Sequence, residues 1–194
     1  LAFGCSSDEN GMQESTFYKG ADLSFQPELT GYNVNYKNSD GLPQPVLSQL
    51  QSSGANLVRL KLWHSPTNGL NNLDYVKNYA LEIKQRNLAF LLDIHYSDTW
   101  ADPANQTPPA AWENLTPEVL RESVYQYTKN VMTALKNQGT APDFVQIGNE
   151  TDSGFLWNYG KVWNEFNGNW GNLAALIGKA TQAIREVNPS TQII

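Results

Sequence analysis

Glu150 directly follows an apolar run that closes with Ile147-Gly148-Asn149, where a strand would release its carboxylate into a cleft. A carboxyl desolvated in such a place has its pKa raised, because burial disfavours the charge. It can then protonate a glycosidic oxygen as a general acid. Asn149 supplies an amide for a substrate hydroxyl, and Gly148 lets the backbone pack closely. Arg59 and Lys61 alternate with apolar residues up to Trp63, so the two charges share one face of a strand. A charge there needs a partner. Arg59 could orient a catalytic carboxylate and hold it ionised, or form a structural salt bridge. His95 ends Asp93-Ile94-His95 and could hydrogen-bond the substrate or a catalytic carboxylate. Asp98, Trp100 and Asp102 follow in the same loop and could line a cleft; Asp22 and Trp63 are further candidates for contact with substrate. His64 is the other histidine of the chain, and two His with Asp residues could bind a metal. The strand-ending Asn-Glu pair and the Trp-rich loops favour sugar chemistry instead, and no metal ligands are assigned.

These residues need strands that end together. A short candidate strand at residues 20–25 is followed by a helix at 45–53, with Val46, Leu47 and Leu50 on one side and Gly54 ending it. Residues 56–63 read as a strand by alternation. Leu73, Val76, Ala80 and Ile83 have the spacing of one helix face. Residues 88–95 form a continuous apolar run, as suits a parallel strand covered on both faces. Thr116 is placed to cap a helix with Pro117 at its first position, and Leu120, Val124, Tyr127, Val131 and Leu135 continue it. Residues 143–149 form the fourth strand. Leu173, Leu176, Ile177, Ala180, Ile184 and Val187 mark a further helix that Pro189 stops, and residues 191–194 open a fifth strand.

The alternation βαβαβαβα, then β, implies a parallel sheet with right-handed crossovers. A doubly wound sheet and a (β/α)8 TIM barrel both fit. No Gly-rich phosphate loop follows the first strand, which counts against a nucleotide-binding sheet. Helix-to-strand connections are short, whereas residues 96–115 and 151–168 form long strand-to-helix loops. Barrel enzymes build their sites on that face. The six Trp residues, at positions 63, 100, 112, 157, 163 and 170, fall there too. Flat aromatic platforms at an open face suit the apolar C–H face of a sugar ring.

The 194 residues carry a net charge of −6 with no Lys/Arg block, which argues against nucleic acid or an anionic membrane surface as a partner. A single cysteine, Cys5, excludes an intrachain disulfide. Leu1-Ala2-Phe3-Gly4-Cys5 resembles the end of a bacterial lipoprotein signal peptide. Residues 1–17 therefore read as a lipoprotein-like leader and polar tether, with acylated Cys5 anchoring the domain at the bacterial cell envelope or surface, secretion being the alternative. Residues 18–194 are the folded domain.

Four segments, in this order, carry a family resemblance: Gly20-Ala21-Asp22-Leu23-Ser24, Arg59-Leu60-Lys61-Leu62-Trp63, the run from Asp93 through His95, Asp98 and Trp100 to Asp102-Pro103, and Gln146-Ile147-Gly148-Asn149-Glu150. Together they resemble glycoside hydrolase family 53, the endo-β-1,4-galactanases. The resemblance implies a retaining enzyme on a (β/α)8 barrel that cleaves β-1,4-galactan in pectic arabinogalactan, and it makes Glu150 the acid/base. Asn149, Arg59 and His95 would surround the reacting sugar, with Asp98, Trp100 and Asp102 nearby. It implies no cofactor for catalysis; some members hold a structural calcium ion in a later loop. In the family the nucleophile is a second Glu at the end of strand seven, whereas this sequence reaches strand five. The expectation is the N-terminal half of a barrel, about four βα units and the start of strand five, inactive as a hydrolase by itself. A non-catalytic galactan-binding protein on the same scaffold is the alternative.

Overall fold

The computed structural model describes residues 17–163 and 169–194. Of the expected leader and tether at residues 1–17, residues 1–16, Cys5 among them, lie outside the described residues. Five strands, β1 (Gly20–Asp22), β2 (Leu57–Leu62), β3 (Ala89–Ile94), β4 (Phe144–Ile147) and β5 (Gln192–Ile193), form one sheet. Every neighbouring pair is parallel, and the spatial order is the chain order. That order distinguishes the two candidate architectures. A doubly wound sheet reverses its strand order to place helices on both faces, whereas a barrel wall advances in one direction. The fold is therefore a partial (β/α) barrel.

The two faces of this wall differ in chemistry. Val58, Leu60 and Leu62 from β2, Phe90, Leu92 and Ile94 from β3, and Val145 and Ile147 from β4 join one apolar core with the helices. Each such side chain, fully buried, contributes roughly 1.5–3 kcal/mol of transfer free energy. The intervening residues point to the other face, and there the register sets Asp22 beside Arg59, and Lys61 beside Asp93 beside Gln146. The expectation of an apolar strand at 88–95 thus holds for one face of β3; the other carries Asp93, with no exposed surface.

Helix α1 (Gln26–Gly31) was not expected: it has six residues and none is buried, so it leaves no apolar periodicity. It begins where the sequence suggested that the first strand was ending, and β1 stops at Asp22. Helix α2 (Val46–Ser52) follows Pro45 and buries Leu47. In α3 (Leu73–Gln85), Val76, Ala80 and Ile83 are buried on the expected stripe, and Asn72 caps the first turn through Tyr75 N at 2.9 Å. Helix α4 (Pro117–Asn137) starts as expected, with Thr116 Oγ1 accepting from Val119 N. Helix α5 (Trp170–Val187) buries Leu173, Leu176, Ala180, Ala183, Ile184 and Val187. Ile177, expected on that stripe, lies off it and is exposed. Among the described residues no helix is long and apolar enough to cross a membrane.

Helices α4 and α5 are tied at the surface by a small polar cluster. Glu186 Oε2 accepts from Tyr125 Oη at 2.6 Å and from Lys129 Nζ at 3.0 Å, while Gln182 Nε2 donates to Oε1 at 2.9 Å. These hydrogen bonds, led by the one from Tyr125, hold the Glu186 carboxyl down at about 2. A depressed folded-state pKa contributes stability that is full above the ordinary carboxyl value and is lost as pH falls towards 2. Glu186→Gln is accordingly expected to lower the urea midpoint at pH 6 and to match the parent near pH 2. An equal gap at both pH values would contradict this assignment.

Candidate active site

The site is built around one guanidinium. Arg59 projects from the polar face of β2, and its Nη1 pairs with Asp22 Oδ2 across the β1–β2 register. Its Nη2 lies 2.6 Å from Asp93 Oδ2, 2.8 Å from Asn149 Oδ1 and 3.4 Å from Gln146 Oε1. A planar fork of fixed donors suits this task, since it can face several acceptors at once. Asp93 explains why the charge is needed. Its side chain is wholly buried, and its Oδ1 has no hydrogen-bond partner among the described residues. Its compensation therefore runs through Oδ2, shared between Arg59 and His95.

His95 is buried with it. Its Nδ1 accepts from Trp63 Nε1 at 3.1 Å and from Ala101 N at 3.3 Å. Two donors on Nδ1 assign the ring proton of the neutral imidazole to Nε2. That nitrogen stands 2.9 Å from Asp93 Oδ2, close enough for electrostatic attraction but off the direction of a hydrogen bond. His95 thus links the buried carboxylate to the loop carrying Trp100 and Ala101.

The Asn149-Glu150 pair sits at the end of β4, where the backbone turns sharply. Gly148 has φ of 81°, and a Cβ there would come within 2.5 Å of Thr151 Cγ2. Both facts favour glycine, a more specific reason than close packing alone. Glu150 itself adopts the left-handed region, with φ of 48°. Such a conformation costs a non-glycine residue on the order of 1–3 kcal/mol and persists where the surroundings hold it. Gln106 Nε2 supplies that hold, donating to Asn149 O at 2.8 Å and to Glu150 O at 3.2 Å. Asn149 is locked from both ends, since its Nδ2 donates to Ala101 O at 2.8 Å while Oδ1 faces Arg59. The Glu150 side chain remains exposed. The desolvation expected for it is not supplied by the described residues.

The family model of glycosyl hydrolase family 53 matches residues 18–194. The chain belongs to that family. It is 38% identical to an arabinogalactan endo-β-1,4-galactanase of Thermothelomyces thermophilus, over 91% of this chain and 52% of that protein. It is 33% identical to arabinogalactan endo-β-1,4-galactanase A of Aspergillus niger, over 90% of this chain and 48% of that one. Among solved structures, the chain superposes on one of two fungal β-1,4-galactanases with a TM-score of 0.86 and 38% identity, covering 92% of this chain and 53% of that one. The catalytic domain of a family 53 protein from Ignisphaera aggregans gives a TM-score of 0.85 and 34% identity, covering 91% and 50%. The chain thus spans about half the length of the curated relatives it matches.

In this family 53 chain the expected site residues divide into two groups. Asp22, Arg59, His95 and Asn149 converge with Asp93 in one network. Asp98 and Asp102 instead satisfy loop backbone. Asp98 accepts from Ser65 N at 2.8 Å and Ala110 N at 2.9 Å, and Asp102 Oδ1 accepts from Ala104 N at 2.8 Å. Asp98 also lies 3.5 Å from His64 Nδ1. Burial against Trp112 and Tyr127 nonetheless holds His64 below its ordinary pKa, with Asp98 opposing. The tryptophans divide likewise. Trp63 and Trp112 are buried and belong to the interior, which corrects their reading as open platforms. Trp170 is the first residue of α5 rather than part of the preceding loop. Trp100 and Trp163 are exposed on strand-to-helix loops, as expected, and Trp170 is exposed beside Trp163. Gln106 and Gln146 were not foreseen, because a lone glutamine carries no spacing signal. Among the described residues no group of three or more His, Cys, Asp and Glu is placed to hold a metal ion.

Removing one partner of a buried pair leaves an uncompensated charge, at a cost of about 3–5 kcal/mol. Arg59→Met, which leaves Asp93 with His95 alone, is predicted to destabilise the fold by about that amount in urea titration. A loss near zero would show that Asp93 does not depend on Arg59.

Proposed function

We propose that the protein is a retaining endo-β-1,4-galactanase acting on galactan side chains of arabinogalactan, with Glu150 as its general acid/base. The observation that carries the reading is the locked Asn149-Glu150 pair at the end of β4, within a chain whose relatives include endo-β-1,4-galactanases. Glu150 would protonate the glycosidic oxygen as the bond to the anomeric carbon breaks. It would then take a proton from the water that releases the sugar from the enzyme. Asn149 Nδ2 spends one hydrogen on Ala101 O and keeps a second for a substrate hydroxyl. The exposed face of Trp100 would carry a sugar ring.

A retaining reaction needs a second carboxyl group about 5 Å from the first. Asp22 and Asp93 are both engaged by Arg59, and the family resemblance puts the nucleophile on a second Glu at the end of strand seven. We assign the nucleophile to a Glu outside these 194 residues, which by themselves are then inactive. We also assign Cys5 as a lipid-attachment site at the bacterial cell envelope, on the sequence around it.

The test is Glu150→Gln in the full-length protein. It removes the transferable proton at nearly constant shape, so kcat on β-1,4-galactan should fall at least about a hundredfold, the lower range for acid–base catalysis, with oligosaccharide affinity little changed. Near-parent turnover would remove Glu150 from the role. Galactan binding without turnover in the unmutated protein would favour the non-catalytic glycan-binding reading.

A further inference from the structure

Lys61 is not used by the site described so far, and its environment is unusual. The residue is 1% exposed, on the polar face of β2 two positions beyond Arg59. Its Nζ has no hydrogen-bond partner among the described residues. An ammonium carries three donors and is costly to bury without acceptors. Here aromatic faces replace them. Nζ lies 3.6 Å from the centre of the Phe25 ring, 4.0 Å from that of Trp100 and 5.0 Å from that of Trp63. All three distances are within the range of cation–π attraction, which is strongest where water is excluded.

The three rings come from three different segments: the connection after β1, the end of β2 and the loop after β3. The Phe25 and Trp100 rings also meet at 5.8 Å, and Trp63 and Trp100 at 6.0 Å. Backbone contacts brace the cage from below. Lys61 N donates to Ser24 Oγ at 2.8 Å, and Tyr75 Oη donates to Ser24 O at 2.7 Å. One side of Trp100 is thus engaged by the ammonium, yet the residue is 42% exposed. Burial lowers the pKa of Lys61, while Asp22, Glu28 and Asp93 act in the opposite direction.

We propose that Lys61 is a positioning residue. By holding Phe25, Trp63 and Trp100 together, it presents the outer face of Trp100 as a preformed platform for a sugar ring of the substrate. The ammonium never touches the sugar. Its part is to remove the freedom of Trp100 before binding, so its loss weakens affinity rather than chemistry. The inference rests on the galactanase reading for the identity of the sugar, but the ordering of the rings does not.

The experiment compares Lys61→Met and Lys61→Arg with the parent in the full-length protein, using β-1,4-galactotetraose kinetics and acrylamide quenching of tryptophan fluorescence. Methionine keeps the apolar bulk without the charge; arginine keeps the charge. Lys61→Met should raise KM about tenfold, the scale of a desolvated cation–π contact, with kcat within about twofold and quenching increased. Lys61→Arg should restore both towards the parent. Unchanged KM and unchanged quenching in Lys61→Met would overturn the proposal, as would an equal defect in Lys61→Arg. If Lys61→Met does not fold, Phe25→Leu opens the cage at its exposed wall. A higher KM at constant kcat would then support the cage, and parent values would overturn it. Absence of turnover in the unmutated protein would sink the galactanase reading alone, because quenching still decides the ordering of the rings.

Discussion

A single buried carboxylate organises this half of the barrel. Asp93 lies on the inner face of the sheet without exposed surface, and an ionised group there must be compensated or it will not stay charged. Arg59 provides the compensation. Because a guanidinium has donors in several directions, the same residue reaches Asp22 on β1, Gln146 on β4 and Asn149 beyond β4. Four elements are therefore held in relative position by one charge and its partners. The mouth of the barrel inherits its geometry from that constraint.

The rest of the site follows from two further locks. His95, fixed by two donors on Nδ1, couples Asp93 to the loop that carries Trp100 and Ala101. Gln106 reaches from the same loop to the carbonyls of Asn149 and Glu150. The third and fourth loops are thus bound to each other at the point where chemistry is proposed. Glu150 is held by its backbone while its side chain stays open to solvent.

Much of this was legible in the sequence because it follows from periodicity. The 3.6-residue stripe of α3 and the Thr116-Pro117 start of α4 are local signals, and the parallel sheet, though not its strand order, follows from the alternation of strands and helices. The charged face of β2 was legible too, since Arg59 and Lys61 had to point the same way. What escaped has no local signature. Helix α1 buries nothing, so it has no apolar stripe to detect. Gln106 and Gln146 matter only through sheet register and loop folding. Asp98 and Asp102 looked like cleft residues because they are acidic and follow a strand, but backbone N–H groups in tight loops compete for the same carboxylates. The positions of the tryptophans along the chain were readable, yet burial separates Trp63 and Trp112 from Trp100, Trp163 and Trp170.

The most direct test of the account is reducing-end release from β-1,4-galactan, measured in parallel on the 194-residue chain and on the full-length gene product. The account predicts activity in the longer protein alone, because it assigns the acid/base role to Glu150 and proposes an attacking carboxylate outside these residues. Activity in the 194-residue chain itself would contradict the assignment of two carboxylates to two parts of the protein, and activity in neither would contradict the galactanase reading.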